Sequence, residues 1–361
     1  MRISEVASRI QDVDALAEEA MRERLNSLTK PPGSLGRLEE LAIRLAGVTG
    51  SAEPAVDPAV IILMAADHGV TAEGVSAFPA EVTQQMVRNF IAGGAAVNVL
   101  SRLANADVQI VDIGINGDCN LPGLTVRKIR RGTGNMARGP AMSGEDAAAA
   151  VEAGMDAARQ AVRQGARLLA LGEMGIGNTT ASSAVLAAFS QVPAEQVAGF
   201  GTGITAQARE HKVSVIRRAL AVNQPDPLDP IDVLAKVGGL EIAGLAGVVL
   251  AAAAARIPVL ADGFISSVAA LTAVKIAPLA AKYLIGSHES AEPGHRIVNR
   301  LLGLRPLLQL DLRLGEGTGA ALALPLVRAA ARIPGEMATF EQAQVAGSLD
   351  GSVKGATGAA P

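Results

Sequence analysis

The run Leu168-Leu169-Ala170-Leu171 passes directly into Gly172-Glu173-Met174-Gly175-Ile176-Gly177-Asn178-Thr179-Thr180, and an Ala/Ser/Val/Leu segment follows. An apolar run, a glycine turn and a helix start, in that order, confine a chain to few folds. A strand that is apolar at every position must be covered on both faces, the pattern of a parallel sheet between helices. Comparable runs lie near 59–65, 107–113, 257–261, 282–286 and 306–311, with long Ala-rich segments of helical periodicity between them. A further run at 124–129 reads as an edge strand. The predicted class is therefore α/β, with a parallel sheet and helices on both faces.

The same turn constrains chemistry. Free backbone N–H groups at a helix N-terminus, approached through glycine, form an anion cradle. Glu173 is out of place there, because a carboxylate opposes phosphate binding. The segment also has an echo: Leu307 to Leu314 runs into Gly315-Glu316-Gly317-Thr318-Gly319, and an Ala/Leu helix follows. Ligands of open α/β sheets sit beyond the carboxyl ends of the strands. Both glutamates are thus predicted on one rim.

Composition removes whole classes of function. Aromatic residues make up 2% of the 361-residue chain, with no Trp and one Tyr, and the net charge is -3. Nucleic-acid binders need stacking platforms and a basic surface, and neither is present. The core must be built of Ala, Leu, Val and Ile, which suits helices packed closely through Gly and Ala. Cys119 is the only cysteine, so neither a disulfide framework nor a zinc cluster is expected within one chain. Residues 1–24 are amphipathic and charged, without the apolar stretch of a secretory signal. Ile242 to Ala255 is apolar over only 14 residues, too short for a bilayer, and reads as a buried helix. A cytoplasmic protein with no membrane partner is expected.

Residues 3–27 carry Ile3, Val6, Ile10, Val13, Leu16, Ala20 and Leu25 at helical spacing. Thr29 to Ser34 breaks the pattern, and Ser34 could cap the helix that follows. The expected organisation is a small helical domain from 1–50 and 335–346, a large α/β catalytic domain from 51–334, and a disordered Gly/Ser/Ala-rich tail from 347–361.

Other strand ends carry polar groups. Asp67 and His68 could act in catalysis, bind metal, or simply cap a loop; the histidine spacing does not favour metal. Ser76, Phe78, Gln84 and Met86 mix orienting groups with apolar surface, as a flat heterocycle pocket would. The loop Arg131 to Met136 adds little alone. Gly199-Phe200-Gly201-Thr202-Gly203 precedes a helix with Lys212, which is either a second phosphate arm or a surface lysine. Asp262, before Gly263, could hold a ribose hydroxyl or cap a helix. Ser290 points to the same rim, with His295 as a further candidate, while Glu289 and Glu292 suit a helix start. Together these ends indicate a phosphorylated, ribose-bearing ligand. No Walker loop and no dinucleotide fingerprint is present.

In combination these motifs resemble the nicotinate-nucleotide–dimethylbenzimidazole phosphoribosyltransferases. The resemblance rests on Leu28 to Gly36, Ala66 to Val70, Gly172 to Thr180, Ala261 to Gly263, Ser290 to Arg296 and Gly315 to Gly319, in order, over most of the chain. It implies a homodimer with a Rossmann-like sheet and a small helical domain, and no cofactor. It implies Glu316 as general base and Glu173 as a second carboxylate. It places Gly175, Gly177, Asn178, Thr179, Gly201, Gly203, Lys212, Asp262, Gly263 and Ser290 around phosphate and ribose. Ser76, Phe78, Gln84, Met86 and Leu314 would border the benzimidazole. The family often carries Tyr where Phe78 stands, so a phenol hydrogen bond is absent here.

The chemistry suits the residues. The partners implied are nicotinate mononucleotide and dimethylbenzimidazole. The leaving nicotinate is already a pyridinium and departs with a neutral ring nitrogen, so no metal is needed to neutralise it. A β-linked donor and an α-linked product imply inversion. A glutamate raised in pKa by apolar surroundings could take the acceptor's proton. A nucleotide hydrolase and a non-catalytic nucleotide-binding module are the alternatives on the same scaffold.

Overall fold

The computed structural model describes residues 2–201 and 203–348. The tail expected to be disordered lies outside the described residues from 349 onward.

The chain forms two compact units. Among the described residues, one holds 2–11 and Pro58–Ala323 and contains the sheet; the other holds Asp12–Asp57 and 324–348. The division therefore differs from 1–50 with 335–346. The helix Ile3–Ala7 belongs to the sheet unit, where it packs on Leu240–Ala254. At the other end the helix Thr318–Glu336 continues through Pro325 without a break, so the boundary falls inside it.

In the helical unit, Asp14 caps Ala15–Ser27 by accepting from the Leu16 and Ala17 amides. Arg37–Thr49 packs against that helix and ends at Gly50 in the left-handed conformation. Arg24 donates to the carbonyl oxygens of Pro334 and Met337, tying the two chain segments together.

The sheet unit is built on β1 (Ala59–Ala66), β2 (Asp107–Gly114), β3 (Leu124–Val126), β4 (Leu168–Met174), β5 (Val259–Ala261) and β6 (Leu284–Gly286). All pairs are parallel, in the order β3-β2-β1-β4-β5-β6. This is the Rossmann order, and the direction of winding reverses between β1 and β4. Every residue of β4 is buried, as its unbroken apolar run demands.

Helices flank the sheet. Gly144–Arg163 and Leu240–Ala254 pack on one another and on β1, while Val82–Ala92 packs on β1, β2 and β4. The first pair is unusually close: a Cβ on Gly154 would overlap the Gly244 carbonyl oxygen, and one on Gly247 would overlap that of Val151. A core nearly free of aromatics gains its density this way. Residues Leu240 to Ala253 are all buried. Among the described residues no helix is long and apolar enough to cross a membrane.

One expected strand is not in the sheet. Of 306–311, only Leu308–Gln309 (β8) is extended, and it pairs with His288–Glu289 (β7) in a separate two-stranded ladder. The reason is the alternation of Leu308, Leu310 and Leu312 with Gln309, Asp311 and Arg313. A strand covered on both faces cannot bury every second polar residue, and Leu310 and Leu314 are indeed exposed.

Candidate active site

The carboxyl ends of β1, β4, β5 and β6 converge beside a cavity of about 320 Å³. Its walls include Glu173, Gly175, Asn178 and Thr179 after β4, Gly263 after β5, His288 and Ser290 after β6, and Arg313 to Glu316 from the C-terminal turn. Phe78 and Met86 close another side. The size suits a small ligand with two ring systems.

The Gly172-Glu173 end of β4 and the Gly315-Glu316-Gly317 turn interlock. A Cβ on Gly172 would stand 2.8 Å from the Glu316 carbonyl oxygen, and one on Gly315 would overlap Oε1 of Glu173. Gly315, Glu316 and Gly317 all have positive φ, at 85°, 63° and 86°. The conformation costs glycine little but costs glutamate energy, a strain found where function requires a fixed side chain. Glu316 is thereby turned onto the cavity wall, and its Oε2 has no hydrogen-bond partner.

Burial dominates the electrostatics. Glu316 is pushed up to about 7 by desolvation, against a pull from the Val97 backbone amide. Glu173 is pushed up to about 8, first by desolvation and then by the charges of Asp262, Glu241 and Glu316; a hydrogen bond from the Asn178 side-chain amide works the other way. Groups poised near neutrality are what proton transfer requires.

The glycine turn after β4 is held from behind. Gly177 caps the helix Asn178–Ser190 with φ of 94°, and the amides of Asn178 and Thr180 bond back to Gly175 and Gly177. Beneath it lies the buried pair of His68 Nε2 and Glu241 Oε1, 2.6 Å apart. Desolvation pulls the His68 pKa down, but the charge and hydrogen bond of Glu241 outweigh it and raise the pKa. Asp67 accepts from the Asn116 amide through Oδ2. His68 thus packs under the turn, and Asp67 reaches it only through Thr83, whose hydroxyl oxygen accepts from the Ile176 amide. Among the described residues no group of three or more His, Cys, Asp or Glu is arranged to hold a metal ion.

Lys212 is buried, not at the surface, and its Nζ donates to Thr179 Oγ1 at 2.8 Å. Desolvation lowers its pKa to about 8, while the Glu292 charge acts to raise it.

Several residues singled out in the sequence do not line the cavity: Ser76, Gln84, Gly177, Gly203, Lys212 and Asp262. Ser76 Oγ accepts from the Phe78 amide, and Gln84 Nε2 donates to the Asp118 carbonyl. Asp262 is fully used elsewhere. Its carboxylate accepts from the amides of Gly317 and Ala320, so it caps the helix Thr318–Glu336 rather than its own helix. Burial pushes it up to about 7.

Three charged or polar side chains of the wall were not among the site candidates. Arg313, the one cation among the described residues of the wall, donates to the Gly201 carbonyl. Glu292 sits at a helix start, as expected, but its Oε1 turns away to accept from Gly201 N–H at 2.7 Å. His288 lies next to the Ser290 motif. Only the alternation before Gly315 hinted that Arg313 shares the face of the leucines' polar neighbours.

Known proteins carry the same architecture. The phosphoribosyltransferase family model DBI_PRT matches residues 10–345. A curated nicotinate-nucleotide–dimethylbenzimidazole phosphoribosyltransferase from Halalkalibacterium halodurans is 64% identical over 349 residues, covering 97% of this chain and 98% of the relative. The enzyme of that name from Geobacter sulfurreducens is 55% identical over 345 residues, covering 95% and 98%. The crystal structure of CobT from Thermus thermophilus superposes with a TM-score of 0.88 at 49% identity, covering 91% of this chain and 99% of that one. With the family model, the relatives and the solved structure in agreement, the chain belongs to the nicotinate-nucleotide–dimethylbenzimidazole phosphoribosyltransferase family.

Proposed function

We propose that this chain transfers the 5-phosphoribosyl group from nicotinate mononucleotide to 5,6-dimethylbenzimidazole, giving α-ribazole 5′-phosphate and nicotinate in the activation of the cobalamin lower ligand. The observation that carries the reading is the pair of desolvated carboxylates, Glu173 and Glu316, on the wall of one cavity with Phe78, Met86 and Leu314. The curated relatives carry the name of this activity.

A lone pair on one benzimidazole nitrogen forms the new bond to C1′. The bond from C1′ to the pyridinium nitrogen breaks, and its electron pair leaves with nicotinate. The proton on the other benzimidazole nitrogen passes to the free carboxylate oxygen of Glu316. Attack from the face opposite the departing ring inverts the anomeric carbon. Glu173 holds a proton at neutral pH while it has no positive partner. The positively charged pyridinium of the bound donor beside it favours the ionised form, which then faces the cationic ribosyl transition state.

Phosphate is assigned to the Gly175–Thr179 turn, with Lys212 reaching it through Thr179 and Arg313 from the rim. Ribose lies along Gly263 and Ser290, and the benzimidazole against Phe78, Met86 and Leu314. Phe78 and Leu314 are 49% and 57% exposed, apolar surface that a bound heterocycle would cover. The homodimeric state and the cytoplasmic location belong to the same reading, and light scattering tests the first.

Incubation of the protein with nicotinate mononucleotide, with and without dimethylbenzimidazole, tests the activity. Ribazole phosphate resolved by mass is the expected product. Nicotinate released at the same rate without acceptor would indicate a hydrolase instead.

A further inference from the structure

None of the roles above uses His288, although its ring forms part of the cavity wall. Its hydrogen bonds fix its tautomer. Ser287 Oγ lies 2.7 Å from the Asp262 carbonyl oxygen, an acceptor only, so the hydroxyl proton is given there. Ser287 Oγ lies 3.1 Å from His288 Nδ1 and can only accept. Nδ1 therefore carries the ring proton, and Nε2 is a bare lone pair. Turning the ring by 180° would set a carbon against Ser287 Oγ and forfeit that bond. The ring is also clamped: a Cβ on Gly319 would overlap Nδ1, and one on Gly263 would stand 3.5 Å from Nε2.

Nε2 has no partner among the described residues, and it is not one of the enclosed polar atoms left unpaired. It opens onto the cavity. Asp262 Oδ1 lies 3.7 Å from Nδ1, too far for a hydrogen bond, and burial holds His288 neutral with a pKa of about 4. Beside it, Ser290 Oγ accepts from the Glu292 amide and keeps its own proton to donate. Ser290 is in turn held by its N–H bond to His295 Nδ1, at 2.8 Å. One wall thus presents a fixed acceptor next to a free donor, and a vicinal diol complements that pair.

We propose that Nε2 of His288 accepts a hydrogen bond from a ribose hydroxyl of the phosphoribosyl donor, so that His288 selects ribosyl over deoxyribosyl donors. This rests on the transfer reaction above.

The test compares nicotinate mononucleotide with its 2′-deoxy and 3′-deoxy analogues in the wild-type protein, His288→Asn and His288→Gln. Asn keeps a donor toward Ser287 but lacks a group at the Nε2 position; Gln restores an acceptor there. The ratio of kcat/KM for the ribosyl donor to that for one deoxy donor should fall about tenfold in His288→Asn, the worth of one net hydrogen bond, and recover in His288→Gln. Comparing ratios between proteins cancels the intrinsic reactivity of each donor. A ratio unchanged for both analogues overturns the proposal while leaving the transfer reaction standing. A wild-type protein that forms no ribazole phosphate overturns both. Nitrogen NMR of the wild-type protein tests the same point without a variant, since the chain has only four histidines. His288 should show a bare Nε2 whose signal moves with nicotinate mononucleotide and stays with nicotinate alone; a protonated Nε2 refutes the assignment.

Discussion

Glu316→Gln isolates the proton-accepting role. Gln has nearly the same volume and meets the same left-handed backbone cost at φ 63°, so the interlocked turns should persist. What disappears is a carboxylate with an unpartnered Oε2 on the cavity wall. A positioned general base contributes about 10²–10⁴-fold, so kcat should drop by at least about 10²-fold with substrate binding within a few-fold. The pH dependence is the sharper arm. With a pKa of about 7, the ionised fraction is roughly one tenth at pH 6 and nine tenths at pH 8. Activity should therefore be lost as pH falls through 7, with kcat/KM about tenfold higher at pH 8 than at pH 6. The acceptor has ionisations of its own, but these act equally on both proteins. The quantity to measure is the wild-type to Glu316→Gln ratio of initial rates, from chromatography of ribazole phosphate at several pH values. A variant at the wild-type rate, or a ratio flat from pH 6 to pH 8, would refute the assignment.

Glu173→Gln should change how stability varies with pH: the folded pKa, about 8, lies above the usual 4.5, so wild-type stability is lost as pH rises through that window. The variant lacks this loss, gaining on the order of a few kcal/mol relative to wild type between pH 5 and pH 9; parallel urea-midpoint profiles would sink the idea. Gly154→Ala should destabilise by about 1–3 kcal/mol, because the new methyl would overlap the Gly244 carbonyl oxygen, and an unchanged melting temperature would count against the close packing. Lys212→Met should raise KM for nicotinate mononucleotide about tenfold or more while leaving KM for dimethylbenzimidazole nearly unchanged. The opposite split would place the phosphate elsewhere.

The sheet was legible because burial on both faces leaves an unbroken apolar run, as in β1 and β4. The same logic misread 306–311, where frequent leucines hid an alternation that a covered strand cannot tolerate. Domain edges were harder. Pro325 looks like a stop, yet the helix Thr318–Glu336 runs through it. Within the site, the repeated Gly-Glu step, in Gly172-Glu173 and Gly315-Glu316, pointed to both glutamates of the cavity wall. Asp262 and Lys212 had two readings each, and only their partners separate them: amides of another helix for the aspartate, Thr179 for the lysine. That Glu292 and His288 face the cavity was beyond reach, because nothing in a local pattern says which rim side chains turn inward, and for Arg313 only the alternation before Gly315 gave a hint.

The geometry of the two turns answers the question Glu173 poses. An anion site has no use for a carboxylate, but Gly315 leaves room for this one, since a Cβ there would overlap its Oε1. Gly172 in turn makes room for the backbone of Glu316. Each segment supplies the glycine that seats the other's glutamate, so both acids are desolvated, and the charge of Glu316 adds to the cost of ionising Glu173. That cost is highest with no cation nearby and falls when positive charge stands beside the pair. A pair built this way would favour a positively charged group beside it over a neutral one, and that preference is the electrostatic premise of the transfer proposed above.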